Sequence, residues 1–310
     1  MTGASGFAGG TVVRAAVARG WRVHAFGRRP PSRVTGDLGG LVRAGVVPYR
    51  SWDVTGPGPV DPPEVDAVIH CAGTVSDWGP SREFRRVNVI GTARVRATFP
   101  DARFVHISTA SVYDPFRPTV MAREHECHAR RYANAYGASK ALAERVAGES
   151  AIILRPHAVY GPGDPTLLPR VLASVRGRRL WAVGDGRQRV SLTSVDNLAQ
   201  ACLLAASGPV ARGVFNVTDA EPVVLDEALR WILRERGIDA EPFYLPAALV
   251  MPVAGVMEAV FRVLRRPEPP RLTRYAVGHL AVERTLDISA ARERLGYRPA
   301  PTSFRGAASW

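Results

Sequence analysis

The sequence predicts an α/β protein with a doubly wound parallel sheet and a smaller C-terminal domain. Three observations carry that expectation. Short apolar runs alternate with segments of helical periodicity through the first half of the chain. A glycine-rich turn, Gly3-Ala4-Ser5-Gly6-Phe7-Ala8-Gly9, opens the first of those helices. After Pro162-Gly163 the rhythm changes to longer gaps with more arginine. The expected division gives residues 1–163, joined by about 190–217, to the sheet domain, and the rest of 164–310 to the second.

Each element follows in turn. A helix over 7–19 starts where the glycine turn ends, and residues 22–26 read as the strand after it. The Pro/Gly cluster over 56–63 is a loop. Residues 67–70, 103–108 and 151–155 are continuous apolar runs of strand length, as expected of parallel strands buried on both faces. Helices over 83–98 and 136–148 alternate with them. In such a sheet ligands bind beyond the carboxyl ends of the strands, here in a cleft between the two domains.

Composition limits the functions. The chain has 310 residues, 46% hydrophobic and 22% charged, as in a water-soluble globular protein. Its net charge of +13 suits an anionic cofactor. The arginines are scattered, and no zinc-knuckle, RNP or basic-helix pattern is present, so no nucleic-acid partner is expected. Cys71, Cys127 and Cys202 are too few and too dispersed for a disulfide framework, which fits a reducing cytoplasm. No apolar signal-peptide core follows Met1. The apolar stretch 243–257 carries Pro246 and Pro252 and is too short to span a bilayer. It reads as a buried helix of the substrate domain, with peripheral membrane contact through its basic exit (Arg262, Arg265, Arg266) as the alternative.

The motifs carry more. Small residues at Gly3, Gly6 and Gly9 let a backbone turn tightly and approach a pyrophosphate, whose charge meets the amides of a helix N-terminus beginning at Phe7. The following strand ends in Gly27-Arg28-Arg29 with no acid to hold a ribose 2′-hydroxyl. Two guanidinium groups there suit a 2′-phosphate, so NADP(H) is expected over NAD(H). The single lysine of the chain, Lys140, stands four residues after Tyr136. On a helix that spacing puts both side chains on one face. A phenol titrates near ~10, and a fixed ammonium favours its ionised form, so the pair can exchange a proton with a carbonyl or alcohol oxygen. Glu124-His125-Glu126-Cys127-His128 groups metal-ligating side chains without a fixed turn or a fourth partner, so no metal is expected.

Together these residues resemble the extended short-chain dehydrogenase/reductase family, the NAD-dependent epimerase/dehydratase group, along essentially the whole chain. The resemblance implies a Rossmann-type doubly wound sheet. It makes Asp53-Val54 the adenine partner and lays Cys71-Ala72-Gly73 along the cofactor. Asn88 begins the family's Asn-Val-x-Gly-Thr helix. Thr109, in Ser108-Thr109-Ala110-Ser111-Val112-Tyr113, takes the catalytic hydroxyl position, and Tyr136 and Lys140 the acid–base and cofactor-holding roles. Pro156 and Val159 belong to the loop that receives the nicotinamide. Trp78, Thr109 and His157 are the candidate substrate contacts.

Residues also separate the branches. Ala110-Ser111 replace the Asp-Glu pair by which the dehydratases of this family remove water. Val190 stands where the sugar-nucleotide epimerases carry an arginine, with Arg189 beside it. Trp78-Gly79, the run 190–198 and the tail with Leu272-Thr273-Arg274, Asp287-Ile288-Ser289 and Leu295-Gly296-Tyr297 resemble the 3β-hydroxysteroid dehydrogenase-like branch. The expected activity is NADP(H)-dependent interconversion of a ketone and a secondary alcohol on a lipophilic, steroid-like or 3-keto acid-like small molecule, in a homodimer. The alternatives are a nucleotide-sugar epimerase and a non-catalytic NADP-sensing regulator. In this family an apolar strand precedes the glycine turn; only Met1-Thr2 do so here, so the first strand is expected to be missing.

Overall fold

The computed structural model describes every residue except Pro115, Phe116, Cys127, His128, Arg130, Ala133 and Pro267. Four parallel strands, in the spatial order Gly213–Val217, Ile152–Pro156, Arg103–Ile107 and Ala67–His70, form one half of the main sheet. Ala25–Gly27 and Tyr49–Ser51 pair in parallel as the other half. Thr2 joins the halves by bridging Phe26 on one side and His70 on the other. Its amide donates to the Ile69 carbonyl at 3.1 Å, and the Phe26 amide donates to the Met1 carbonyl at 2.8 Å.

Residues 1–2 therefore occupy only the carboxyl end of the central strand position. Behind them lies a cavity of about 800 Å³ walled by Val12, Ala16, Val23, Val68, Ile69 and Phe99 among others. The strand expected over 22–26 is found as Ala25–Gly27, and just ahead of it the Met1 amino group donates to the His24 carbonyl at 2.8 Å.

Helices cover both faces of the sheet. Phe7–Ala18 and Val195–Ser207 close one side, where Val12 and Ala16 meet Leu198 and Cys202 over Ile152 and Leu154. Gly91–Thr98 and Ala135–Ala147 close the other, around Phe99, Phe104 and Ile153. The helix expected over 83–98 is real but composite: Ser81–Phe84 and Gly91–Thr98 are α-helical, and Arg85–Ile90 between them is a π-turn. That wider turn carries Asn88, and π-turns recur where a helix must aim a side chain into a site.

The second core gathers around Leu180, Leu229, Ile232 and Phe304. Two small sheets build it: Glu241–Leu245 beside Arg179–Val183 and Val175–Arg176, and Val223–Val224, Arg189–Val190, Arg284–Leu286 and Thr119–Ala122 in order. Thr119–Ala122, from ahead of residue 163, thus pairs with the C-terminal strand Arg284–Leu286.

The stretch 243–257 corrects the expectation of a buried helix. Phe243 is exposed on the strand Glu241–Leu245, edge-on to the Trp181 ring at 4.9 Å. The helix Ala247–Val263 buries only Val250, Ala254 and Glu258. An apolar run signals burial but does not say how much partner surface awaits it.

Candidate active site

The glycine turn comes first. Gly3 has φ +72°, and a Cβ there would stand 2.6 Å from the Ala72 amide nitrogen. A Cβ on Gly9 would strike the Gly3 carbonyl oxygen. Only glycine fits either place, and Gly6 caps the 12-residue helix that starts at Phe7 with no acid in its first turn. The amides of this turn and the positive helix end make a cradle into which a pyrophosphate fits. Beyond the strand Ala25–Gly27 the guanidinium groups of Arg28 and Arg29 are exposed, and Arg29 donates to the Ser5 carbonyl at 3.3 Å. Asp53 is exposed nearby; the Thr55 amide bond at 2.9 Å holds its carboxyl below the usual range. Val54 is buried against Gly91, where a Cβ would meet its Cγ2 at 2.7 Å.

Cys71, Ala72 and Gly73 continue from the strand Ala67–His70 along the same edge. Asn88 shapes that edge. Its Oδ1 accepts from the Thr74 amide at 2.7 Å, and its Nδ2 donates to the Thr74 carbonyl at 3.1 Å and to Ser139 Oγ at 2.9 Å. The buried amide therefore staples the loop after Gly73 to the helix that carries Tyr136 and Lys140.

That helix, Ala135–Ala147, is capped by Asn134, whose side chain accepts from the Gly137 amide at 2.9 Å. A Cβ at Gly137 would lie 2.7 Å from the Ser111 carbonyl oxygen, so glycine lets the helix seat directly on the turn Ala110–Val112. This contact sets the Tyr136 phenol beside Thr109, whose hydroxyl favours the ionised phenol. Thr109 also accepts from the Ser111 amide at 3.1 Å. Glu144, one turn past Lys140, binds Arg155 in a two-pronged ion pair at 2.9 and 2.7 Å, locking the helix to the strand Ile152–Pro156.

The electrostatics differ from expectation at one point. The Lys140 ammonium donates to the Ile107 carbonyl at 2.5 Å and to His106 Nε2 at 3.1 Å. Burial pulls its pKa down to about 8, against Glu144 and Cys71. The Tyr136 phenol is raised well above its ordinary value, by burial first and by the Tyr275 phenol second, with the neighbouring Thr109 hydroxyl opposing. Burial thus dominates the phenol, while the Lys140 ammonium is turned toward Ile107 and His106.

Tyr275, Ser111 and His106 complete the site and carry no sequence signal of their own. Tyr275 lies on the helix Arg274–Leu280; its hydroxyl is 2.8 Å from Ser111 Oγ, and its ring stacks on His279 at 4.4 Å. The tail motif that ends at Arg274 was the nearest clue. His157 is buried with Nδ1 2.6 Å from the Ser191 carbonyl, and burial lowers its pKa to about 4. It lines, with Ala110, His279 and Arg284, a cavity of about 10 Å³ that holds no more than one water. Pro156 ends the strand Ile152–Pro156 just before His157, and Val159 opens the strand Val159–Tyr160 just after it. Trp78 is half-buried, donating from Nε1 to the Arg266 carbonyl at 3.1 Å. Of the His125, Cys127 and His128 grouping, the last two lie outside the described residues; among the described residues no group of three metal-ligating side chains occurs.

Comparison with known proteins gives the family and the fold. Residues 1–218 match the model of the NAD dependent epimerase/dehydratase family. A 4-hydroxy-2-methyl-3-oxo-4-farnesyl-3,4-dihydroquinoline-1-oxide ketoreductase of Stigmatella aurantiaca is 31% identical over 99% of this chain and 93% of its own. A 2-alkyl-3-oxoalkanoate reductase of Shewanella oneidensis is 32% identical over 96% of this chain and 81% of its own. Among solved structures, a UDP-glucuronic acid 4-epimerase from Bacillus cereus in complex with NAD superposes with a TM-score of 0.71 at 20% identity, over 99% and 95% of the two chains. That likeness is one of fold.

Proposed function

The chain belongs to the NAD dependent epimerase/dehydratase family and is an NAD(P)-dependent oxidoreductase, and from that premise we propose that it reduces a ketone on a lipophilic, 3-oxo acid-like molecule with NADP(H). The observation that carries the reading is the seating of the Tyr136 helix on the turn after Thr109, which Gly137 permits, with the buried Lys140 one helical turn further on. When bound, the nicotinamide supplies or accepts the hydride. The chain's own part is the proton and the geometry. Thr109 and Tyr136 hydrogen-bond the ketone oxygen; as the carbonyl carbon gains hydride, the Tyr136 proton passes to that oxygen and a secondary alcohol results. Raised above its ordinary value, the phenol stays protonated at neutral pH, which suits it to donate in the direction of reduction. Lys140 holds a charge beside the ribose side of the site.

The residues fit the cofactor: Gly3 and Gly9 let the turn close tightly against Ala72 and upon itself, at the N-terminus of a helix with no acid in its first turn. Arg28 and Arg29, exposed next to the turn that Ser5 belongs to, support a preference for the 2′-phosphate. Against a nucleotide-diphosphate sugar, Val190 is buried in the second core, and Arg189 turns to the Pro222 carbonyl at 3.3 Å. A cytoplasmic setting agrees with the free thiols of Cys71 and Cys202. The test is NADPH oxidation with a panel of branched 3-oxo acids and lipophilic ketones beside uridine diphosphate sugars. Turnover of the ketones alone supports the assignment; conversion of a sugar nucleotide instead removes it.

A further inference from the structure

The helix Ala247–Val263 presents its apolar side outward. Its buried residues are Val250, Ala254 and Glu258, so the only acid of the helix faces in. There Glu258 is held by Arg262 at 2.9 Å and by the Arg274 amide at 2.8 Å. The outward positions are Ala248, Leu249, Pro252, Val253, Val256, Ala259, Val260 and Val263, none of them polar, with Arg262 in the last turn the one exposed charge of the helix. Leu249 is 67% exposed, Val256 65% and Val263 81%. At four-, three-, four- and three-residue steps, Leu249, Val253, Val256, Val260 and Val263 form one stripe along a helix about 25 Å long. Contiguous apolar surface of this extent marks an interaction site.

Charge selects the occupant. Between residues 243 and 274 the chain has five arginines and two acids, and one of those acids is the buried Glu258. Arg262, Arg265 and Arg266 are exposed where the helix ends. The other end offers Pro246, Ala247 and Ala248, so a second copy laid antiparallel on the stripe would meet those arginines with no acid from the helix. No helix among the described residues is long and apolar enough to cross a membrane. A helix with an aliphatic face and a basic terminus lies flat in the interface of an anionic bilayer.

We propose that this face docks the enzyme on an anionic lipid surface. The docked helix is tied to the site. The Arg266 carbonyl accepts from Trp78, whose ring meets Phe261 edge-on at 6.4 Å, and Asp77 beside it binds Arg170 at 2.6 Å and Thr273 at 2.8 Å. This loop follows directly from the Gly73 edge that Asn88 shapes. Docking therefore sets one wall of the cleft against the bilayer, where a lipophilic ketone dissolves. That last consequence rests on the substrate reading above; the docking itself does not.

The experiment is flotation of the purified full-length protein, without substrate or cofactor, with vesicles of phosphatidylcholine alone and of phosphatidylcholine mixed with phosphatidylglycerol. The wild type should float with the mixed vesicles, less so as salt is raised. The double variant L249E/V256E should stay in the aqueous fraction. R265E/R266E should partition more than roughly tenfold less, given the contribution of each basic residue near an anionic surface. Unchanged melting temperatures and NADPH turnover of a water-soluble ketone would show that both variants remain folded. Equal flotation of wild type and L249E/V256E, or none with either vesicle, overturns the proposal. So does a dimer by light scattering that L249E/V256E dissociates while no vesicle binds, which assigns the stripe to a second copy.

Discussion

The hydroxyls of Ser111 and Tyr275 stand 2.8 Å apart, and through that contact a helix of the C-terminal region reaches the catalytic turn. The Thr109 hydroxyl lies 3.2 Å from that of Ser111 on the same turn, so Thr109, Ser111 and Tyr275 form one hydrogen-bonded line beside Tyr136. The substrate-facing part of the chain thereby touches the electrostatics of the acid.

Tyr275→Phe should shift the titration of Tyr136. The second phenol raises the first, so its removal lowers the Tyr136 pKa while burial still holds it above the ordinary value. In alcohol oxidation the phenolate is the working form, and the rising limb of kcat/KM against pH should move to lower pH. A profile that stays in place would show that Tyr275 only packs.

Acid should unfold this protein early. Burial holds His70 at about 3 and His157 at about 4, and pushes His106 and His279 well below the ordinary value of 6.5. Below pH 6.5 the unfolded chain binds protons at these positions and the folded chain does not. Stability is therefore complete above 6.5 and falls as pH drops toward the folded values, by on the order of 1 kcal/mol per histidine per pH unit. Melting temperatures between pH 7.5 and pH 5 measure this directly. A flat curve, or a loss that begins only in the carboxylate range, contradicts it.

Replacing Arg28 and Arg29 together with neutral residues should weaken NADPH binding by about 1.5–3 kcal/mol and leave NADH unchanged, because charge-assisted contacts to the 2′-phosphate exist for one cofactor only. Equal losses in calorimetry would reduce both arginines to surface charges.

Much of this was legible in the chain. The strands Ala67–His70, Arg103–Ile107 and Ile152–Pro156 were written as short apolar runs, and Gly3, Gly9, Tyr136 and Lys140 by spacing within motifs. What hid from sequence was set by distant partners. The π-turn at Asn88 exists because Thr74 and Ser139 both claim its amide. Tyr275 reaches the catalytic turn across 164 residues. The helix Ala247–Val263 has the composition of a core helix, and only the folded chain reveals that most of its apolar side meets no protein. Lys140 was placed by its spacing, but its direction toward Ile107 and His106 depends on a strand register that local pattern does not encode.

The central claim, hydride delivered to a ketone and proton delivered by Tyr136, is tested most directly with NADPH deuterated at the transferring position. With a branched 3-oxo acid or lipophilic ketone accepted by the wild type, one cofactor should be oxidised per alcohol formed, and the deuterium should appear on the new carbinol carbon. Tyr136→Phe should bind NADPH as the wild type does and lose turnover by on the order of 10²–10⁴-fold. Retained turnover in Tyr136→Phe, or interconversion of a sugar nucleotide with no net oxidation of cofactor, would contradict the account.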